Sequence, residues 1–321
     1  MIFLKKSKAI TAVMGTLAVS LLTSCTSVDE SGASSSQSLA KVDLRMADAL
    51  VSDPVFTART SIKVPKNHKV GDKIFPYEGI GWENEVVGYR LYLDERSVTD
   101  IFGKKTAAVA LDKVDYRNDY HAMADWGMDV MKVGPSMGVG GLGLYRGNSL
   151  ERFGPKAEVS AKVLKEQGAA ASFTVTHQKV PLGDGSIGNV DTTYSIESGN
   201  PLTWVKVKSS MPNATLASGL VKSKGNQRFR NSNTVKKGEW RYIATWGDTQ
   251  SEAKDGLGTV LFYRDGDARL MPSVNDTYPI RFNTPNPTYA FAGVWEQGPM
   301  GIANKESFIA WVEAQQRNLN K

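Results

Sequence analysis

Apolar and polar residues alternate from Val87 to Asp94, with Val87, Tyr89, Leu91 and Leu93 on one side of an extended chain and Gly88, Arg90, Tyr92 and Asp94 on the other. That period of two predicts a half-buried strand. Further strand candidates follow at 107–114, 130–133, 142–145, 159–166, 171–180, 189–197, 202–209, 216–222, 240–246, 258–264 and 289–296. Most are bounded by Gly, Asp or Asn, and many short strands separated by turn residues predict an antiparallel sandwich or barrel. Gly183-Asp184-Gly185-Ser186 and Asp265-Gly266-Asp267 read as hairpin turns, because Asp-Gly supplies the positive φ such turns need. Two stretches depart from the period. Residues 39–51 carry enough helical spacing for a short helix, and Asn304 can cap a helix whose Phe308, Ile309, Trp311 and Val312 form an apolar stripe able to dock on a sheet. The pattern is therefore all-β with a C-terminal helix, and no internal repeat or linker divides it after residue 50.

The N-terminus changes the picture of where such a domain works. Met1 to Lys8 is basic, 9–22 is apolar, and Leu22-Thr23-Ser24-Cys25 follows. A charged segment, a short apolar run and small residues make a secretory leader, too short to argue for a retained span. Leu-Thr-Ser-Cys resembles a lipobox, in which Cys25, the only cysteine in the chain, becomes the lipidated first residue. Thr26 rather than an aspartate follows, which by the rule for such lipoproteins directs the chain to the outer membrane, facing the periplasm. The expected organisation is a leader over 1–24, a serine-rich flexible tether over 25–38 and a single domain over 39–321. With Cys25 committed to an anchor, no disulfide forms within the chain, and stability rests on core burial.

The formal charge of +6 includes Lys5, Lys6 and Lys8 of the leader, and without them about +3 remains. Such a balance gives no electrostatic case for nucleic acid. A membrane is expected to be met through the lipid anchor alone.

Candidate chemistry gathers between Asp119 and Tyr145, where one of three histidines, a tryptophan, acids and six glycines are mixed. His121 is the leading acid/base candidate, with Tyr120 beside it and Asp119 or Asp125 placed to orient its ring. His177 falls on the apolar side of a strand and reads as a core residue, and His68 reads as a solvated loop. A second cluster joins Trp82, Asn84, Arg90 and Tyr92. On a strand Asn84, Arg90 and Tyr92 share a face with Gly88, which leaves room above it for a ligand whose carboxylate the guanidinium would hold. A third sets Trp295, a sugar platform, beside the Glu296 carboxylate, and Lys132 adds a further cation. Asp115, Asp119, Asp125 and Asp129 are oxygen donors of the type calcium takes, but without a known loop spacing, and no zinc motif, phosphate loop or nucleophile elbow is present. No metal or cofactor is expected.

Gly-Trp-Glu-Asn-Glu at 81–85, Gly-Tyr-Arg-Leu-Tyr-Leu-Asp at 88–94, Asp-Ile-Phe-Gly-Lys at 100–104, Tyr-His at 120–121 and Lys-Val-Gly-Pro-Ser-Met-Gly-Val-Gly-Gly at 132–141 together resemble a bacterial family of secreted domains of unknown function. Members look like β-supersandwiches of the galactose-mutarotase-like type, associated with degradation of pectin and other uronic-acid polysaccharides. The resemblance implies a carbohydrate-active lipoprotein acting on uronic-acid oligosaccharides by β-elimination, hydrolysis or isomerisation, with His121 as acid and Glu296 as base. In a lyase, Arg90 and Asn84 would neutralise the uronate while His121 or Tyr120 removes the adjacent proton. The alternative is a glycan-binding lipoprotein without catalysis.

Overall fold

The computed structural model describes residues 39–49, 51–154, 157–231, 235–248 and 251–321. The expected leader, the expected lipidation site at Cys25 and the expected tether over 25–38 lie outside them. The described chain is an antiparallel β-sandwich with one α-helix at its end. One sheet has nine strands, in the order Gln227–Arg230, Trp240–Gly247, Leu257–Arg264, Thr288–Trp295, Thr203–Ser209, Ile187–Glu197, Ala170–Pro181, Glu158–Lys165 and Ser61–Lys63. The second has six, in the order Gln167–Gly168, Ala40–Asp43, Gly79–Glu83, Val87–Tyr92, Thr99–Lys104 and Gly127–Asp129. A five-stranded sheet built on Leu216–Val221 and Thr277–Phe282 closes one side.

The long hairpin of Ala170–Pro181 and Ile187–Glu197 shows why these residues choose strands. Its buried positions, among them Phe173, Val175, Tyr194 and Ile196, alternate with Ser, Thr and Lys, as a sheet with one wet face requires. Phe173 lies opposite Tyr194 in register, their rings stacked 5.0 Å apart. Trp82 of the six-stranded sheet packs on both and on Tyr89, so four aromatic rings join the two sheets. Each such pair adds about 1 kcal/mol beyond the area it buries. Phe291 meets Tyr89 edge-on from the nine-stranded sheet, and Gly140 at φ +70° lets the chain pass against that ring, which a Cβ would strike at 2.2 Å.

Several sequence expectations are corrected here. Where a helix is expected over 39–51, the described residues form the strands Ala40–Asp43 and Arg45–Ala47, because pairing with Gly79–Glu83 and Phe56–Ala58 supplies the backbone partners that a helix would otherwise provide. The stretch 107–114 is a loop ending in a 3-10 turn at Leu111–Lys113, its amides taken up by a side chain described below. The Asp265-Gly266-Asp267 turn hands the chain from Leu257–Arg264 to Ala268–Leu270 in a different sheet, so it joins no hairpin pair. The helix Lys305–Leu319 does form, capped by the Asn304 side chain accepting from Ser307 N, and buries Phe308, Val312 and Gln316 on the outer face of the nine-stranded sheet.

Candidate functional site

The outer face of the six-stranded sheet carries the charge. Register places Asp43, Glu83, Arg90, Asp100, Lys104 and Asp129 on the side opposite the aromatic core, and every one is under 10% exposed. They are covered because residues 105–126 cross this face. Leu111, Val114, Tyr120 and Trp126 settle there with Tyr77 and Phe102 in a small apolar layer. Leu111 lies over Gly88, filling the room expected for a ligand. The crossing is tied down by the sheet's own charges: Glu83 accepts from the amides of Ala110 and Leu111 and pairs with Lys104 at 2.6 Å, while Arg45 donates to the carbonyls of Leu111 and Val114.

Arg90 is the centre of this arrangement. Its Nη2 donates to Asp100 Oδ2 at 2.8 Å and to Asp129 Oδ2, its Nη1 lies 3.7 Å from Glu78, and its plane sits 4.4 Å from the Tyr92 ring centroid. The Tyr92 hydroxyl donates to Asp100. Two carboxylates thus share one guanidinium, and burial, with Asp100 adding to it, pushes Asp129 well above the usual carboxylate range against the pull of Arg90.

His121 opens this buried cluster to solvent. The tyrosine before it is fixed when Asp129 N donates to Tyr120 O at 2.7 Å, and Asp119 in the left-handed region at φ 42° turns the chain back toward the sheet. The imidazole, 59% exposed, lies 4.5 Å from the Tyr120 ring, with Nε2 3.4 Å from Asp129 Oδ2 and Nδ1 3.9 Å from Asp119 Oδ1. Arg90, Tyr92, Tyr120, His121 and Asp129 therefore form one connected set, of which only His121 stands mostly in water.

The other expected site residues are placed elsewhere. Of the two acids expected to orient His121, Asp119 faces its ring while Asp125 is exposed on the turn at 124–127, and the second carboxylate facing the ring is Asp129. Trp82 is 1% exposed in the inter-sheet core with its indole N–H donating to Thr203, which leaves it no face for a sugar. Asn84 is fully buried, its amide donating to the carbonyls of Glu197 and Asn200 and its oxygen accepting from Val86 and Val87; it locks the two sheets together. Lys132 is a surface residue paired with Glu252 at 2.8 Å. Trp295 points into the sandwich against Gly103 and donates to Asp255. Alternation then sends Glu296 to the opposite side of its sheet, where it accepts from Gly256 N and borders an open cleft of about 440 Å³ beside Trp246. His121 and Glu296 thus lie on opposite outer faces of the sandwich and do not form a pair. His68, read as a solvated loop residue, is packed on Phe75 with Nδ1 2.8 Å from Asp72 Oδ2. His177 is a core residue, hydrogen-bonded to Ser97. Among the described residues no group of three or more His, Cys, Asp or Glu converges to hold a metal.

Sequence reasoning passed over Asp100 and weighed Asp129 only as a metal donor. Asp100 is the register partner of Arg90, and the six residues 93–98 that join Val87–Tyr92 to Thr99–Lys104 give no short-turn signal from which that register could be read.

The profile of one sequence family matches residues 24–321, nearly the whole chain. The chain belongs to the family Domain of unknown function (DUF4861). No curated protein matches it. The DUF4861 match spans both sheets and the C-terminal helix, so the Arg90 cluster and His121 both lie within the family domain.

Proposed function

We propose that this DUF4861 chain moves protons on uronic-acid-containing oligosaccharides, with His121 as the acid/base and Asp129 as the carboxylate behind it. The observation that carries this reading is the exposed imidazole 3.4 Å from a buried carboxylate that is itself held by Arg90. Nε2 faces Asp129, and Nδ1, 3.9 Å from the exposed Asp119 carboxylate, is the nitrogen left to take or give a proton. Burial, with the neighbouring Asp100 carboxylate adding to it, raises the Asp129 carboxyl against the pull of Arg90, which makes that carboxyl easier to protonate than a free one.

Among the three reactions expected, the geometry favours β-elimination or isomerisation over hydrolysis. Glycosidic hydrolysis by paired acids needs two carboxyl groups open to the sugar. Asp100 and Asp129 are 1% and 2% exposed and both engaged by Arg90, which leaves Asp119 as the exposed carboxylate facing His121, whereas a single histidine suffices to remove a proton beside a carboxylate. Arg90 is spent on these acids, so the substrate carboxylate must find another cation. Tyr120 is 6% exposed, and burial raises its phenol, which leaves His121 as the base. The lipobox at Leu22–Cys25 supports the same activity being anchored on the periplasmic side of the outer membrane.

The test is absorbance of newly formed conjugated uronate, followed together with product mass, on pectic and alginate polymers and their unsaturated oligomers. His121→Ala should lower kcat by about 100-fold or more with binding retained. Unchanged turnover in that variant would remove His121 from the reaction. Binding by the wild-type chain with no product in any assay would instead mark a glycan-binding lipoprotein.

A further inference from the structure

The outer face of the nine-stranded sheet is divided. Over Trp240–Gly247, Leu257–Arg264 and Thr288–Trp295 it is apolar, with Ala290, Ala292, Val294 and Phe262 under the C-terminal helix. Over the strands from Ser61–Lys63 to Thr203–Ser209 no described element covers it, and the residues change accordingly. Register gives one row across four strands as Lys162, Thr174, Thr193 and Lys206, and the next as Ser160, Thr176, Asp191 and Lys208, with Lys63 beside Ser160.

We infer that this bare face is a docking platform for an anionic polysaccharide, separate from the His121 site. Lys162 and Lys206 stand three strand spacings apart, about 14 Å, on either side of a floor of hydroxyls. Thr174 and Thr193 bond each other at 2.8 Å across the centre of that floor, and Thr176 donates to Asp191, so the hydroxyls are held in place with acceptor capacity left over. Lys63, Lys162, Lys206 and Lys208 are exposed and lie within ion-pair distance of no carboxylate among the described residues. The acids facing them are Asp191, opposite Lys208, and Glu197 at the far end; Glu158 at the border is already taken by Lys66 and Lys179. Lysine heads keep long stems and full hydration here, so the surplus positive charge is available to a partner rather than to the fold.

The chemistry selects the partner. A flat floor of hydroxyls between cations matches a chain that carries both hydroxyls and repeated carboxylates or sulfates. Nucleic acid would be expected to meet stacking aromatics between the lysines, whereas Trp204, beside Lys206 on this face, is packed edge-on against Trp240 of the covered half. A lipid surface would be expected to meet apolar side chains at the centre, where serine, threonine and Asp191 stand instead.

The experiment uses the full-length chain with polygalacturonate as the anionic probe, dextran as the neutral one and vesicles of anionic phospholipid as the competing surface. Polygalacturonate binding is expected, weakening as salt rises, with little affinity for dextran. Lys162→Glu with Lys206→Glu should weaken it at least tenfold, and Lys162→Arg with Lys206→Arg should retain it. His121→Ala should leave binding unchanged, which separates this platform from the proposed reaction. Equal binding by the charge-reversed and wild-type chains, equal affinity for dextran, or tighter binding to the vesicles would each overturn the inference. An unchanged thermal midpoint in the variants keeps a folding defect from imitating the expected loss.

Discussion

Arg90 and Lys162 are both cations midway along antiparallel strands, each with alternating neighbours, yet Arg90 is 2% exposed and Lys162 stands in water. The difference lies in what crosses the strand afterwards. Residues 105–126 fold back over the Arg90 face and are pinned there by Glu83 and Arg45, while no described element returns over Lys162. A charged alternation therefore specifies a face, and a later segment decides whether that face becomes a sealed network or an open surface. The sealed face acquires internal partners and, at His121, a group that stands mostly in water. The open face keeps unpaired charge for something outside the chain.

The largest test of that contrast is Arg90→Met. Removing the guanidinium leaves Asp100 and Asp129 buried without a cation, and breaking such a pair costs about 3–5 kcal/mol. Urea unfolding at neutral pH should show a loss of this order, with the midpoint recovering partly in acid as the two carboxyls protonate. A loss no larger than that of a surface substitution would mean that the network is solvated and the contrast false.

His177 extends the comparison to a buried group without a charge partner. Its ring is 3% exposed, Nε2 meets Ser97, and burial lowers its pKa from 6.5 to about 4. Between those values the unfolded chain binds a proton that the folded chain refuses. Stability is therefore full above pH 6.5 and is lost as pH falls toward 4, by roughly 3 kcal/mol in total. In His177→Gln this component of the acid slope should vanish when stability is followed from pH 7 to 4. A wild-type slope that survives the substitution would place the titrating group elsewhere.

How far the sequence could be read follows the same division. The strands of the open hairpin, Ala170–Pro181 and Ile187–Glu197, were legible because one face is wet and alternation reports it. Gly79–Glu83 and Thr99–Lys104 are buried on both faces, and their polar positions, Glu83, Asp100 and Lys104, are ion-paired in the interior. There alternation no longer distinguishes inside from outside, so both strands were missed, and Trp82 and Asn84 passed for ligand-facing residues. His121 was legible as a candidate from its type and company. Asp119 was legible as a neighbour of its ring, but Asp129 was not, because it reaches His121 through a left-handed residue at Asp119 and a turn at 124–127 that no periodicity announces.

A smaller effect belongs to the covered half of the nine-stranded sheet. The Asn304 side chain accepts from Ser307 N and starts the helix that lays Phe308 and Val312 on the sheet. Asn304→Ala should cost about 1 kcal/mol, the usual value of an N-cap, read from the thermal midpoint. Asn304→Asp should retain most of the stability, since a carboxylate caps equally well and favours the positive end of the helix dipole. If both substitutions were neutral, docking of Phe308 and Val312 would hold the helix without help from its cap.

The smallest expected change sharpens the contrast most. Lys162→Met replaces a cation on the open face with an apolar side chain of similar length, as Arg90→Met does on the sealed one. Lys162 has no carboxylate to abandon among the described residues, it is exposed opposite Thr174 in register, and strand propensity does not fall with the exchange. Its stability should stay within about 0.5 kcal/mol of the wild type. The same substitution would then cost several kcal/mol at one outward-facing strand position and almost nothing at another, the difference being the segment that crosses only the first. If Lys162→Met instead destabilised the chain by more than 1 kcal/mol, the lysine would have a structural partner, its charge would not be free, and the open face would have to be understood as part of the fold rather than as a surface offered to a ligand.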